Sequence, residues 1–296
     1  MKVFRQITLR VSDYSQVPWW RKAQPLDLIC VGYGILVVLM VLGSYFLGAS
    51  GRLPFDPQAI DMNLLNAPPG AHGHLLGTDF LGRDIFSRLV LGIQAYFLPG
   101  LLAITIALTL GGASGLVSGY RAGRWDRALT YAANLMDAVP RLVLILLMIA
   151  AFKADIYLIM VVVGLTHAPT VASMVKSKVI FLKQQNFIES AVCLGLKNRT
   201  IIVKHILWHN CRALLIIQAT LGMAVAILIE TSLSYLGFGV QEPMPSWGNM
   251  VQSGANYFLQ GAFWPSTAPA LAILFTILGF HLLGDGLNNI LERKQR

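Results

Sequence analysis

Charge is scarce in this sequence. Only 12% of its 296 residues are Asp, Glu, Lys or Arg, roughly half the share of an ordinary soluble domain. That scarcity excludes a chain whose whole surface faces water. Cysteine is also sparse: Cys30 lies in an apolar run, and Cys193 and Cys211 lie in a basic segment. Nothing pairs them as an oxidising compartment would, so free thiols are expected. There is no G-x-x-x-x-G-K-[ST], hence no phosphate-cradling loop. If ATP powers this protein, the hydrolysing engine is another polypeptide. There is no H-E-x-x-H and no paired-cysteine metal site. His72 and His74 are two loop histidines with no third ligand in view, and are expected to be solvated rather than metal-bound. A cleavable signal peptide is missing too. The first apolar run begins near Leu28 after a basic lead and reads as a signal anchor.

What the chain has in abundance is apolar length. It is 55% hydrophobic, with a mean hydropathy of +0.62. Its runs of about 20 apolar residues make it an all-α polytopic membrane protein. Six spans fit, at about 28–49, 95–119, 129–152, 155–175, 213–233 and 264–284, with boundaries good to a few residues. Pro140 is expected to break the third and Pro169 the fourth. The net charge of +9 needs no nucleic acid, because basic loops on one side of a bilayer account for it. Lys2, Arg5, Arg10, Arg21 and Lys22 precede the first span. Arg121, Arg124 and Arg127 follow the second, the 176–212 loop carries seven Lys or Arg, and Arg293, Lys294 and Arg296 end the chain. On the other side Arg52, Arg83 and Arg88 are offset by Asp56, Asp61, Asp79 and Asp84, Lys153 by Asp155, and Glu242 stands alone. Both termini and the 176–212 loop are therefore expected in the cytoplasm.

The longest basic stretch, Asn186 to Arg212, organises the rest. Phe187/Ile188, Ala191 and Leu194/Gly195 recur at helical spacing and predict one apolar stripe. Asn186 and Glu189 have the spacing of a capping box. Lys197-Asn198-Arg199 is a polar break, after which Ile201, Ile202, Ile206 and Leu207 open a second apolar face. A polar hairpin tied to membrane helices at both ends is suited to receive a mechanical signal from a soluble partner. Gly195 costs about 1 kcal/mol relative to Ala if helical, and close approach of another backbone is one sufficient reason for it.

The first external segment carries G-T-D-F-L-G-R-D-I-F-S-R from Gly77 to Arg88. Asp79, Arg83 and Asp84 at i, i+4 and i+5 predict a surface helix pinned by Asp–Arg pairs, either as a structural lid or in contact with substrate. The last external segment, from Leu233, has Gly237, Gly239, Pro243, Pro245 and Gly248, which exclude one continuous helix. Glu230 and Asp285 read as ordinary helix-end charges. Asp137 and Arg141 flank Pro140 one turn apart, inside or near the end of span three. Intramembrane ionisable groups are functional candidates, and a self-satisfied local pair is the other reading.

Four motifs together resemble one family. E-S-A-V-C-L-G resembles the E-A-A-x-x-x-G signature of ABC importer permeases. G-T-D-F-L-G-R-D-I-F-S-R (Gly77, Thr78, Asp79, Gly82, Arg83, Asp84), E-T-S-L-S-Y-L-G-F-G-V-Q-E-P-M-P-S-W-G and L-L-G-D-G-L-N-N-I-L look like the C-type permease subunit of dipeptide, oligopeptide and nickel importers. The likeness runs in matching order from residue 28 onward. It implies a type I importer permease fold with no covalent chemistry and no cofactor on this chain, ATP and magnesium acting on partner subunits. The implied partners are a second homologous permease, two ATPases, an extracytoplasmic substrate-binding protein and the lipid bilayer. The chain divides into a tail at 1–27, a first helix and external segment at 28–94, the transmembrane domain at 95–285 with its coupling loop at 176–212, and a tail at 286–296. Glu189, Ser190, Ala191 and Gly195 correspond to the coupling motif. Ser190 replaces the second alanine, and Trp208 stands where proline is usual, so a straighter exit from the second coupling helix is expected. A proton- or sodium-coupled transporter using Asp137 and Glu230 is the alternative. It would be expected to show repeat-related broken segments, and no internal repeat is visible.

Overall fold

A computed structural model describes residues 24–121, 123–152 and 155–295, without the side chains of Trp125, Asp137 and 292–295. The basic residues of the N-terminal tail, Lys153, Arg296 and the side chains of Arg293 and Lys294 lie outside what is described. Among the described residues the chain is helical, with one isolated bridge between Thr78 and Asp84. The helices are α1 (Pro25–Ala49), α2 (Ile85–Arg121), α3 (Arg124–Asp137), α4 (Arg141–Phe152), α5 (Ile156–Lys183), α6 (Asn186–Cys193), α7 (Asn198–Tyr235), α8 (Trp247–Phe258) and α9 (Trp264–Gln295). Five of them are long and apolar enough to cross a bilayer, and six spans result if α3 and α4 share one.

Span two begins ten residues earlier than expected, at Ile85, and continues through a short 3₁₀ turn at 93–95 and a wide turn at 107–111. Span five begins at Asn198, not near 213, because the second helix of the Asn186–Arg212 stretch and the membrane helix are continuous through wide turns at 201–211. Pro140 falls between α3 and α4, and the axes on either side of that break meet at 74°. Pro169 breaks nothing: α5 passes through it, as membrane helices allow when neighbouring groups satisfy the freed carbonyl.

Close backbone approach holds the bundle together. Gly111, Gly115 and Gly119 line one face of α2 at four-residue spacing against α5. A Cβ at Gly115 would sit 2.5 Å from the Ala172 carbonyl oxygen, and one at Gly111 2.5 Å from that of Ala168. Small residues at this spacing are how membrane helices approach without a hydrophobic drive between them. α9 packs along α1 and also against α7 and α8. α8 opens with a full capping box: Ser246 Oγ accepts from Asn249 N, and Asn249 Oδ1 accepts from Ser246 N. This short helix turns the 236–246 segment back onto the bundle, where Trp247 is buried against Tyr96 and donates to the Leu89 carbonyl at 2.9 Å.

The surface helix expected over residues 77–88 does not form. Residues 77–84 make a tight loop, and Asp84 caps the start of α2 by accepting from Ser87 N at 2.7 Å. Gly82 is required here. Its φ is +75°, and a Cβ would collide with the Asp61 carbonyl oxygen.

Candidate coupling surface and loop clasp

The α5–α7 hairpin presents α6 at one end of the bundle. Its N-cap is Gln185, and no side chain caps the helix, so the expected Asn186–Glu189 box is absent. Asn186 is instead the first helical residue, and its carbonyl accepts from Ser190 Oγ at 2.9 Å. The expected single stripe divides in two. Ile188 and Ala191 are buried among Val175, Val179 and Leu182 of α5 and Ile201 and Ile206 of α7. Phe187, Val192 and Leu194 face outward, Leu194 with 81% of its surface exposed. Glu189 and Ser190 are exposed beside them.

Gly195 is not helical. Its φ is +74°. Its N–H donates to the Val192 carbonyl at 2.9 Å, and Leu196 N–H donates to Ala191 at 3.2 Å. These two bonds are a Schellman stop, which satisfies orphan carbonyls with a left-handed residue after the helix. Among the described residues, its two chain neighbours aside, nothing lies within 4 Å of where a Cβ would stand. The local backbone is thus a sufficient reason for glycine. The periodicity that put Gly195 on the helix concealed this, although glycine directly after an apolar stripe is itself a helix-end signal.

At another place in the fold, Asp79, Arg83, Arg88 and Glu242 form a clasp between the first and last loops. Arg83 Nε donates to Asp79 at 2.7 Å and its Nη1 to Glu242 at 2.7 Å. Arg88, 1% exposed, reaches Glu242 at 3.0 Å and lies 3.7 Å from Asp79. The Asp79–Arg83 pair expected from the sequence therefore exists, but across a turn. Glu242 was the partner that local spacing could not reveal, 159 residues away. Burial works against the Arg83 charge, yet its hydrogen bond to Glu242 and the Asp79 carboxylate outweigh it, and its pKa stands above the ordinary value. Gly77 takes φ +78°, and Thr78 pairs back to the 64–67 turn. His74 is not solvated: its Nδ1 lies 2.9 Å from Asp84 Oδ1, both buried. Among the described residues no three His, Cys, Asp or Glu converge on a metal site.

Inside the bundle, Glu230 is not a helix-end charge at a surface. It is fully buried and accepts from Ser234 Oγ at 2.6 Å. Arg141 donates to the Thr166 carbonyl at 3.3 Å. The Asp137 side chain lies outside the described residues, so its proposed partnership with Arg141 stays a proposal.

The geometry is that of a bundle of apolar, membrane-length helices with an exposed hairpin at one end, and residues 111–296 match the family described as binding-protein-dependent transport system inner membrane component. This chain belongs to that family. It is 36% identical over 291 residues to the dipeptide transport system permease protein DppC of Alkalihalophilus pseudofirmus, covering 96% of this chain and 93% of the relative. It is 33% identical over 280 residues to the probable D,D-dipeptide transport system permease protein DdpC of Escherichia coli K12, covering 95% and 91%. A glutathione transport system permease protein, GsiD of Pectobacterium atrosepticum, is 32% identical over 285 residues, covering 94% and 92%. The protein is thus a multi-pass permease subunit of an ABC importer in the inner membrane, working with ATPases and a substrate-binding protein, and it is not itself an enzyme. ATP and magnesium act on the separate ATPase chains. Nothing supports the proton- or sodium-coupled alternative.

Proposed function

We propose that this permease passes peptides, that it pairs with a second, homologous permease, and that two ATPases drive the pair through α6. The substrate class rests on the relatives, whose names specify dipeptides, D,D-dipeptides and glutathione. The observation that carries the coupling role is the split of the α6 faces. Ile188 and Ala191 lock the helix to both α5 and α7, so a displacement of α6 moves two membrane helices together. Phe187, Val192 and Leu194 remain uncovered on its far side, beside the open space past Gly195. Exposed apolar side chains at the tip of a hairpin otherwise rich in Lys and Arg suit an apolar cleft on a soluble partner. Glu189, Ser190, Ala191 and Gly195 form this surface and its anchor. ATP-driven closure of the ATPases would carry the paired α6 helices together and open the permease interface to the binding protein. Both termini and α6 then lie in the cytoplasm, with 95–285 as the translocating domain, and the 77–84 loop with its clasp lies outside.

The test is Leu194→Asp in the reconstituted complex. Leu194 touches little of its own chain, so insertion and permease pairing should persist. ATPase association and substrate-stimulated hydrolysis should fall at least tenfold, the effect of about 1.4 kcal/mol at one interface anchor. Wild-type hydrolysis and uptake in the variant would remove α6 as the coupling surface.

A further inference from the structure

A second basic feature lies where the α7 arm of the coupling hairpin meets the end of α2. The C-terminal end of α2 and the first turns of α7 enclose a cavity of ≈370 Å³, lined by Tyr120, Arg121, Asn198, Arg199, Ile202 and Val203. Its walls are tied together, since Tyr120 Oη donates to Asn198 Oδ1 at 2.9 Å across 78 residues of sequence. Lys183 stands behind the same wall, with Nζ donating to the Tyr120 carbonyl at 2.8 Å and lying 5.2 Å from the Tyr120 ring centre. Neither Arg121 nor Arg199 has an acidic partner among the described residues. Asp126, the carboxylate nearest Arg121 in sequence, is taken by Lys176 at 2.5 Å and by the Ser118 hydroxyl. Two arginines therefore line one concavity, with a third cation behind its Tyr120 wall and no acidic residue in its lining.

What distinguishes the occupant is the apolar surface one turn deeper on each wall. Val117 lies four residues before Arg121 on α2 and is 42% exposed, and Val203 lies four residues after Arg199 on α7 and is 50% exposed. Trp208, 65% exposed, continues the α7 side toward the span. Along both helices an arginine lies nearer the helix end and an exposed apolar side chain lies one turn further toward the span. An acidic loop of a soluble partner would need no such gradient. A phosphodiester with acyl chains matches it from end to end, since basic pockets between membrane helices on the cytoplasmic side hold anionic headgroups and arginine forks suit phosphate oxygens.

We propose that this cavity is a binding site for an anionic phospholipid, its phosphate held between Arg121 and Arg199 and its chains running along Val117 and Val203. Placing that lipid in the cytoplasmic leaflet rests on the orientation proposed above. Binding itself does not, so the two can fail separately.

The experiment uses the purified complete transporter in detergent with equal phosphatidylglycerol and phosphatidylcholine, with retained lipids counted by native mass spectrometry. The wild type should keep phosphatidylglycerol in preference to phosphatidylcholine. Arg121→Gln/Arg199→Gln should weaken that retention about thirtyfold, at about 1 kcal/mol for each basic side chain near anionic lipid. Arg121→Lys/Arg199→Lys should restore part of it. Both residues are exposed, and subunit composition in the same spectra reports assembly. Equal retention of the two lipids by the wild type would overturn the proposal without any variant. So would unchanged retention in the glutamine variant, or displacement of the lipid by millimolar inorganic phosphate, which would mark a free-phosphate site. Loss of ATPase subunits with unchanged lipid would assign the two arginines to docking and overturn it as well.

Discussion

Gly195 can matter for two different reasons, and substitutions separate them. One is volume, where a side chain would hold a partner's surface away. The other is backbone conformation, since φ at Gly195 is +74° and the helix-ending bonds to Val192 and Ala191 depend on it. A left-handed conformation costs an L-residue roughly 1–2 kcal/mol, and Asn bears it better than Ala. If conformation dominates, Gly195→Asn should couple ATP hydrolysis to uptake better than Gly195→Ala, although Asn is larger. If volume dominates, the order reverses. Substrate-stimulated hydrolysis of both variants decides it. The preference for Ala of about 1 kcal/mol applies only if Gly195 is helical, and the residue lies beyond the helix end. Asp79 poses a different problem. It accepts from Arg83 and lies near Arg88, both almost fully buried. Asp79→Asn would leave two like charges with only Glu242 to balance them. Removing one member of a buried ionic group costs about 3–5 kcal/mol, a figure lowered here by the half-exposed Glu242 carboxylate. The variant should melt at lower temperature in detergent and yield less assembled complex, while Asp56→Asn, on an exposed turn, should not.

Helix packing gives its own contrast. On α2, Gly115 meets the Ala172 carbonyl oxygen at a distance no Cβ tolerates, whereas at Gly112 the nearest atom to a Cβ is a Leu215 methyl at 3.7 Å. Gly115→Ala should force α2 and α5 apart and lower stability by roughly 1–3 kcal/mol, the usual range for overpacking. Gly112→Ala should change little. Melting curves of the two variants in the same detergent test this, and equal curves would mean that the α2–α5 contact is not that close. At this scale the sequence was informative where the period was long and uniform, as in spans one and six, whose starts were placed within a few residues. It was misleading where apolar and polar stretches share one helix. Ile85–Arg88 reads as the end of a surface helix because charged residues precede it, and Ile201–Leu207 reads as a separate helix ahead of span five because Lys204, His205, His209 and Arg212 interrupt the apolar run. Long-range partners had no sequence signal at all: Glu242 reaches Arg83, and Asn289 donates to Asp27 at 3.1 Å across 262 residues.

Across the whole molecule, function depends on which end of the bundle faces the cytoplasm. Lys and Arg are concentrated around Arg121–Arg127 and Lys176–Arg212, whereas the arginines of the opposite loops are offset by acids, and such asymmetry sets orientation. The fold adds an internal check: the 77–84 loop, the Glu242 clasp and α8 lie together, joined by the Arg83–Glu242 pair and the Trp247–Leu89 hydrogen bond, so they must share one side. Thiol chemistry can read this directly. Cys193 is exposed on α6, while Cys211 is buried and Cys30 half-buried, so Cys193 is the accessible native thiol among the described residues. A membrane-impermeant maleimide added to intact cells should leave Cys193 unmodified, and should modify it once the membrane is permeabilised. Ser253 is part-exposed on α8, where its hydroxyl bonds only to backbone carbonyls of its own helix. In a Cys193→Ser background, Ser253→Cys should therefore label from outside without permeabilisation. Labelling of Cys193 from outside, with Ser253→Cys protected, would place α6 on the side away from ATP. An ATPase could not then reach Phe187, Val192 and Leu194, and the coupling assignment would fail even though the family assignment stands.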